Sequence, residues 1–463
     1  MKMGIDKTPS PALEIIDFEA ANHVPEITNL KECKKQFIEG TINVWYEYVP
    51  KSYHGQAVPL VVQIHGGGHD GKRWANFTIW HELAEREGMI VIYPNSPEYG
   101  LWSCEDSDVQ YIYDLIQHIC KKYTIDKERI YMQGMSNGDM MTLAFSMKHP
   151  EILAAAGYIT GPSAMEFLDG DRPKGALPII QMRGELDINW KLTPDTIDIY
   201  ENRYAMNDLN FEIWENVNGI ENVIPAVCIE GKDNYLYYHG KNAPVIEWEI
   251  QGMGHREPVY SAQVLWDRLY KNCQRNRQVE NVLKEQKADE DIVIIAGGSN
   301  QVYSRGQIIE VNPLSAGKTR IMLPAKVSHF CSVQLNEMCE TEVMCVPAEF
   351  FEKIFEARLE FNDSGDKVTI LFPDKTTVKL MADSFLMDVN GKYMALQKPC
   401  ILRCGVFYIP VAEFCQMILK KQISVADDVM CISDHYAVLG RYTARILRKL
   451  LGGVMRPRQK EER

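Results

Sequence analysis

Short apolar runs alternate with amphipathic stretches between residues 40 and 275. The apolar runs predict buried strands at 89–95, 129–134, 153–161 and 176–184, and residues 58–68 predict a further buried strand that ends in a glycine loop. Apolar residues at helical spacing predict helices at 80–88, 108–123 and 140–150. Strand and helix therefore follow each other in regular order, which predicts an α/β fold with a doubly wound, mostly parallel sheet.

The pattern changes after this region. Residues 276–291 are polar and charged, which predicts a linker. Residues 292–454 combine short β-type runs with amphipathic helices and predict a smaller α+β domain, followed by a polar tail at 455–463. We therefore expect a first domain at 1–275 and a second at 292–454.

The second domain contains a weak internal repeat. Segments 345–370 and 408–432 share one plan: a proline, an Ala-Glu-Phe triplet, a short helix and two β-type runs. Between them, 376–397 predicts three strands, with a hairpin turn at Asn390-Gly391. The repeat predicts two equivalent units on a common core.

Composition and charge narrow the range of partners. Of the 463 residues, 46% are hydrophobic and 24% are charged, as in ordinary globular proteins. The formal net charge of -13 argues against nucleic acid or an anionic membrane as the main partner. No apolar run approaches the roughly 18 residues of a membrane span. Small-molecule ligands remain open.

The beginning of the chain and its cysteines bear on location and metals. Residues 1–23 have no apolar stretch and no small-residue cleavage site, so we expect no secretory signal and a cytoplasmic protein.

The 12 cysteines are scattered and predict reduced thiols packed as small hydrophobic groups. None forms a C-x2-C pair, so no metal site is predicted.

The sharpest chemical motif is Gly134-Met135-Ser136-Asn137-Gly138, which matches G-x-S-x-G. It falls between a predicted strand and a predicted helix, as a nucleophile elbow requires. The tight turn exposes the serine oxygen, and small flanking residues let strand and helix approach. The alternative is a glycine-rich turn with a bystander serine.

A second element, His65-Gly66-Gly67-Gly68, follows the first predicted strand. Acyl transfer develops an oxyanion, and a glycine loop can turn its backbone amides toward that charge. We assign the oxyanion hole to the amides of Gly67 (or Gly66) and Asn137. A phosphate-binding loop is excluded because the required lysine is out of position. His65 itself is expected to be structural.

A nucleophilic serine needs a base, and the base needs an orienting carboxylate. Asp187 and His255 each follow a predicted strand, where a doubly wound sheet gathers its active site. Glu185 competes with Asp187, and His239 competes with His255. We favour Asp187 and His255. His149 ends a predicted helix and is expected to be structural.

Five motifs carry a resemblance to a known family: LVVQIHGGG (60–68), WHELAEREGMIVIYPN (80–95), IDKERIYMQGMSNGDMM (125–141), MRGELD (182–187) and GMGHREP (252–258). With the late AQVLWDRL (262–269), they resemble the polyhydroxybutyrate depolymerase and feruloyl esterase group of α/β-hydrolases, a fold shared with carbohydrate esterase family 1. The resemblance covers residues 40–273. It implies Ser136 as nucleophile, His255 as general base and acid, and Asp187 as orienting carboxylate.

The resemblance implies a serine esterase that works through an acyl-enzyme and needs no cofactor. The implied substrates are feruloyl or other aryl esters, acetyl esters, or hydroxyalkanoate oligomers, as small molecules or on oligosaccharides. Two alternatives are a peptidase on the same triad and a catalytically weak binding protein whose C-terminal domain does the work.

Two departures from the family stand out. Asp139 replaces a second glycine after the elbow, and an insertion around 205–245 separates Asp187 from His255. We expect this insertion to reshape the substrate side. Trp102 and Trp190 are the aromatic residues that we expect to contact substrate.

Residues 292–440 resemble the small repeat domain at the N-terminus of copper amine oxidases. The segments VMCVPAEFFEKIF (343–355) and LMDVNGKYMALQKPCILRCGVFYIPVAEF (386–414) carry this resemblance. Copper is not implied, because the region has only two histidines, His329 and His435. We expect a packing, lid or homo-oligomer role, with carbohydrate or envelope binding as the alternative. Such domains occur on exported proteins, which leaves a secreted or surface location open.

Overall fold

The computed structural model describes residues 27, 29–98, 100–161, 172–187, 199–275, 288–311, 317–324 and 338–452. The chain divides into two compact units. Met1–Val227 and Asp233–Lys287 form the first, and Cys228–Lys232 and Ala288–Arg463 form the second. The division at 287 falls inside the linker predicted at 276–291, of which 276–287 lie outside the described residues.

A ten-stranded sheet is the framework of the first unit. Its strands are β1 (Lys31–Lys35), β2 (Asn43–Tyr48), β3 (Val58–Ile64), β4 (Ile90–Pro94), β5 (Ile125–Met135), β6 (Ala155–Ile159), β7 (Ile179–Gly184), β8 (Ala226–Glu230), β9 (Asp233–Tyr238) and β10 (Val245–Ile250). Their order is β1-β2-β4-β3-β5-β6-β7-β10-β9-β8.

The centre of this sheet is parallel. Strands β4, β3, β5, β6, β7 and β10 pair in parallel, whereas β1, β2 and β9 run antiparallel to their neighbours. The predicted doubly wound α/β architecture is confirmed. The carboxyl ends of the six parallel strands meet at one edge, where loops from distant parts of the chain can converge.

The helices of the first unit are α1 (Gly71–Ala75), α2 (Trp80–Glu87), α3 (Asp106–Lys122), α4 (Asn137–Lys148), α5 (Ile199–Asn218) and α6 (Ser261–Arg268). The three predicted helices correspond to α2, α3 and α4. Helix α2 ends at Gly88, whose φ of 71° is the left-handed conformation that glycine adopts without strain. Strands β1 and β2 and helices α1 and α5 were not predicted.

The core lies around the parallel strands. Every residue of β3, β4 and β7 is buried, because helices cover both faces of the sheet. Helix α4 is also buried along most of its length. Because nearly all sides of α4 are covered, its sequence has no distinct polar face.

The predicted insertion at 205–245 contains most of α5 and the strands β8 and β9. Both strands continue the sheet beyond β10. The insertion therefore adds two strands to the β10 side of the sheet.

The second unit is rich in strands. They are β11 (Val293–Ala296), β12 (Gln301–Ser304), β13 (Gln307–Glu310), β14 (Gly317–Pro324), β15 (Met338–Pro347), β16 (Arg358–Phe361), β17 (Lys367–Leu371), β18 (Thr377–Met381), β19 (Leu386–Val389), β20 (Lys392–Ala395), β21 (Ile401–Arg403), β22 (Val406–Pro410), β23 (Gln422–Ala426) and β24 (Val429–Ser433). Its described helices are α7 (Glu349–Phe355), α8 (Val411–Met417) and α9 (Arg441–Leu450).

The internal repeat has a structural counterpart. Strands β15 and β22 pair antiparallel, with Cys345 opposite Pro410 and Pro347 opposite Tyr408. This register relates the two copies by a local two-fold axis. The Phe351 and Phe414 rings that follow lie 4.6 Å apart in a shared core. The predicted hairpin turn between β19 and β20 is also present, with positive φ at Asn390 and Gly391.

Two further observations concern the described residues of both units. Among them, no helix combines the length and apolar character needed to cross a bilayer. Ten cysteines whose side chains are described form no disulfide, and seven of these ten are buried.

Candidate active site

Ser136 stands in a sharp turn between β5 and α4. Its φ of 55° and ψ of -118° are strained for a residue with a side chain. A Cβ on Gly134 would lie 2.0 Å from the Gly138 carbonyl oxygen, and one on Gly138 would lie 2.5 Å from the His65 carbonyl oxygen. Only glycine fits at either position. The G-x-S-x-G spacing is thus dictated by the packing of strand, turn and helix.

His255 connects Ser136 to Asp187. Its Nε2 lies 2.9 Å from Ser136 Oγ, and its Nδ1 lies 3.1 Å from both carboxylate oxygens of Asp187. The Asp187 side chain is fully buried, whereas the His255 side chain is 20% exposed. Because a carboxylate can only accept, Nδ1 carries the proton and Nε2 is left to accept the serine proton.

The loops that carry Asp187 and His255 are held together by backbone contacts. Leu186 N donates to the Met253 carbonyl oxygen at 2.8 Å. A Cβ on Gly184 would lie 2.4 Å from the same oxygen, so the loops approach this closely only because glycine ends β7. The parallel pairing of β7 and β10 brings these loops to one edge.

The two carboxylates near β7 have different partners. Asp187 faces His255, whereas Glu185 Oε2 accepts a hydrogen bond from Gly252 N at 2.9 Å. Glu185 therefore supports the backbone of the histidine loop and does not touch the imidazole through this contact. The geometry favours Asp187 over Glu185 as the orienting carboxylate.

The competing histidines lie elsewhere. His239 follows β9, which runs antiparallel to β10, so it lies at the sheet edge opposite His255. His149 ends α4, where its Nδ1 lies 3.0 Å from Glu151 Oε1. A 12-residue helix spans about 18 Å, which separates His149 from Ser136.

His65 is a buried structural residue, as expected. Its Nδ1 lies 2.8 Å from the Gly66 carbonyl oxygen, and Ser96 N donates to its Nε2 at 3.1 Å. These partners require a neutral ring with the proton on Nδ1. Burial lowers the pKa of His65 to about 4, so the ring stays neutral at ordinary pH.

The glycine loop lies directly beside the elbow. A Cβ on Gly66 would be 3.7 Å from Ser136 Cβ, and one on Gly67 would be 3.7 Å from Asn137 Cβ. The bond from His65 to the Gly66 carbonyl also fixes the Gly66–Gly67 peptide plane. In a trans peptide the Gly67 N–H then points away from His65.

Asp139 turns away from the serine. It is fully buried, and its Oδ2 accepts a hydrogen bond from Gly161 N at 2.6 Å. Arg183 Nη2 donates to the carbonyl oxygen of the same glycine at 3.1 Å. Asp139 therefore anchors the chain that leaves β6, and its carboxylate does not occupy the elbow.

Of the two tryptophans expected to contact substrate, the structure describes one. Trp102 is only 3% exposed, and its Nε1 donates to the His65 carbonyl oxygen at 3.1 Å. Packing leaves little of the ring surface exposed, and contact of Trp102 with substrate stays a prediction. Trp190 lies outside the described residues, so its role stays a prediction.

Two features beside the elbow and the glycine loop have no clear signal in the sequence. The Asn137 side chain bonds the backbone of Trp102 through both its oxygen and its nitrogen. Leu101, beside the glycine loop, is 55% exposed. Two neighbouring apolar residues give no sequence signal of which side chain is buried and which is exposed.

Across the described ranges, no group of three or more His, Cys, Asp or Glu side chains is arranged to hold a metal ion.

A nucleophile turn after a central parallel strand, served by loops from two strands further along the sheet, is the arrangement of the α/β-hydrolases. The first unit has this fold. Residues 44–169 match the family model described as Esterase PHB depolymerase, which confirms the predicted resemblance for this region. The match includes the glycine loop and the elbow, and Asp187 and His255 lie beyond it.

Proteins with related sequences are esterases by name. The bifunctional acetylxylan esterase/xylanase XynS20E of Neocallimastix patriciarum is 26% identical over 221 residues, which are 45% of this chain and 30% of that protein. Feruloyl esterase B of Neurospora crassa is 29% identical over 126 residues, 25% of this chain and 43% of that protein. The chain thus spans less than half the length of these relatives.

Among solved structures, the acetyl xylan esterase from Aspergillus awamori is similar at 21% sequence identity and a TM-score of 0.41. The similarity covers 51% of this chain and 97% of that chain. The resemblance of the second domain to the copper amine oxidase repeat domain stays a prediction.

Proposed function

We propose that this protein is a serine carboxylic ester hydrolase. The observation that carries the proposal is the position of His255, whose Nε2 lies 2.9 Å from Ser136 Oγ while its Nδ1 lies 3.1 Å from the Asp187 carboxylate. This is the relationship of nucleophile, base and orienting group that acyl transfer needs. The esterase names of the related proteins support the same conclusion.

In the proposed mechanism, His255 Nε2 takes the proton of Ser136 as its oxygen attacks the ester carbonyl. The Asp187 carboxylate stabilises the resulting imidazolium. His255 then gives this proton to the departing alcohol, which leaves an acyl-enzyme on Ser136. A water molecule deprotonated by His255 releases the acid and restores the serine.

The proposed oxyanion donors are the backbone amides of Gly67 and Asn137. Two observations support this assignment. The bond from His65 holds the Gly66 carbonyl, which turns the Gly67 N–H the opposite way. Asn137 is the first residue of α4, so its free N–H lies at the positive end of the helix dipole.

We propose that the substrates are acetyl or feruloyl and other aryl esters, either small or carried on an oligosaccharide. The names of the relatives as acetylxylan and feruloyl esterases support this substrate class. The alternative of a catalytically weak binding protein rests on Asp139 and on the insertion around 205–245. The hydrogen bond from Gly161 N to Asp139 argues against the first of these two reasons, because the carboxylate is used away from Ser136.

The test is hydrolysis of p-nitrophenyl acetate and methyl ferulate by the wild-type chain and by Ser136→Ala. We expect turnover by the wild type and a loss of several orders of magnitude in kcat for the variant. Peptide amides in the same assay would reveal a peptidase. The proposal is refuted if neither the wild type nor Ser136→Ala hydrolyses any of these esters.

A further inference from the structure

The segment that precedes helix α3 is tied to Asn137 and to Gly68, the neighbour of Gly67 in the glycine loop. Gly68 N donates to the Gly100 carbonyl oxygen at 2.7 Å. Trp102 N donates to Asn137 Oδ1 at 2.7 Å, and Asn137 Nδ2 returns a bond to the Trp102 carbonyl oxygen at 3.0 Å. The peptide backbone on either side of Leu101 is thereby fixed to the glycine loop and to the elbow.

The Trp102 ring adds a third attachment. Its Nε1 bonds the His65 carbonyl oxygen at 3.1 Å, and the ring stacks on Tyr111 with centroids 6.4 Å apart. Because Trp102 is buried, its neighbour Leu101 is directed to the surface and is 55% exposed. The structure therefore holds an exposed apolar side chain on a rigid backbone.

This exposed side chain lies at the oxyanion hole. Leu101 Cδ2 is 3.2 Å from the point where a Cβ on Gly67 would stand, and Asn137 Cβ is 3.7 Å from that point. Leu101 thus covers the α-carbon of one proposed donor and stands next to the residue that supplies the other. An ester whose carbonyl oxygen enters the hole comes within reach of this side chain.

We propose that Leu101 contacts the acyl half of the ester and sets acyl preference. This inference rests on the proposed function. The leaving alcohol must lie beside His255 Nε2, which gives it a proton, whereas the acyl half stays on Ser136 next to the oxyanion donors. An apolar side chain at that position gains contact with each methylene or ring carbon that the acyl group adds.

The experiment measures kcat/KM for two crossed ester series with wild type, Leu101→Ala and the nearly isosteric Leu101→Asn. In one series p-nitrophenol is constant and the acyl group is acetyl, propanoyl or butanoyl. In the other the butanoyl group is constant and the alcohol is methyl, ethyl or benzyl. Ile42→Ala is the control, because Ile42 is an aliphatic residue of the first unit that is 62% exposed.

We expect Leu101→Ala to reduce the preference for butanoyl over acetyl by about tenfold, and Leu101→Asn to reduce it at least as much. The ratios in the alcohol series and the Ile42→Ala variant should stay unchanged. Thermal unfolding should be unaffected, because the removed atoms are exposed.

The proposal is overturned if the alcohol ratios change while the acyl ratios do not, or if neither series responds in an active enzyme. In both cases the proposed function stands, provided that Ser136→Ala is inactive. Wild-type inertness toward all of these esters would instead refute the proposed function, and this inference with it.

Discussion

Gln133 Nε2 lies 2.6 Å from Glu257 Oε1, and this bond joins the strand of the nucleophile to the loop of the base. Gln133 is three residues before Ser136, and Glu257 is two residues after His255. Ser261 Oγ at the start of α6 donates to the same oxygen at 2.6 Å. The elements that carry Ser136 and His255 are thus joined by a contact outside the triad.

This contact predicts a pH dependence of stability. Burial raises the pKa of Glu257 from 4.5 to about 7. The folded protein holds this proton until about pH 7, whereas the unfolded chain releases it near pH 4.5. The contribution of Glu257 to the free energy of unfolding is therefore complete below pH 4.5 and is lost as the pH rises through 7.

Glu257→Gln should remove this dependence. Between pH 5 and 8, the stability of the variant relative to wild type should rise, by on the order of 3 kcal/mol at most. Urea unfolding at four pH values measures the difference. Glu247, which burial also keeps protonated (pKa about 8), is present in both proteins, so its effect cancels. A constant difference across this range would contradict the prediction.

The two carboxylates after β7 should have separable roles. Asp187→Asn leaves the shape of the site intact but removes the partner that fixes the His255 tautomer, so kcat should fall by roughly 10³–10⁴-fold. Glu185→Gln, two residues away, should keep kcat within about tenfold, because its carboxylate accepts a hydrogen bond from a backbone amide of the histidine loop and so supports that loop. Steady-state kinetics on p-nitrophenyl acetate measure both. An equal loss of kcat in Asp187→Asn and Glu185→Gln would contradict the assignment of Asp187 as the orienting carboxylate.

Much of the first unit follows from its sequence. Fully buried parallel strands such as β3 and β4 are continuous apolar runs, and α3 places Val109, Ile112 and Ile116 on one buried face. Strand β1 was missed because its lysine-rich sequence, KECKK, is exposed on the outer edge of the sheet. Its strand conformation is fixed by the backbone hydrogen bonds to β2 and not by an apolar pattern in its own residues.

The site was predictable where backbone geometry restricts residue type. The elbow admits only glycine at 134 and 138, so the G-x-S-x-G motif can be recognised directly in the sequence. The choice between Asp187 and Glu185 depends on how two loops meet, which the sequence does not state. The burial of Trp102 and the exposure of Leu101 depend on which of two neighbouring apolar side chains the fold packs inside, which the sequence does not indicate.

The elbow glycines should not tolerate alanine. Gly134→Ala places a methyl group 2.0 Å from the Gly138 carbonyl oxygen, so backbone must move and stability should fall by more than about 3 kcal/mol. Gly254→Ala is the matched control, since its Cβ would meet nothing within 4 Å, although it neighbours His255. Thermal unfolding compares the two variants. A Gly134→Ala protein as stable as Gly254→Ala would argue against the close packing at the elbow.

Asp139→Gly restores the glycine found in the related family, and it tests whether this carboxylate restrains catalysis. The substitution leaves Gly161 N without its 2.6 Å partner and removes an acidic group from the first turn of α4. We expect a loss of about 2–3 kcal/mol in the free energy of unfolding, with kcat within about threefold of wild type. Urea unfolding and p-nitrophenyl acetate kinetics measure these two quantities.

Asp106→Gly is the matched control for this variant. Asp106 also stands in the first turn of a helix, but its side chain is 91% exposed and bonds only the Lys148 ammonium, so the loss of stability should be smaller. A tenfold rise in kcat for Asp139→Gly would contradict the structural role. It would mean that the carboxylate restrains the serine through its effect on the elbow, and that the chain carries a catalytically weakened site.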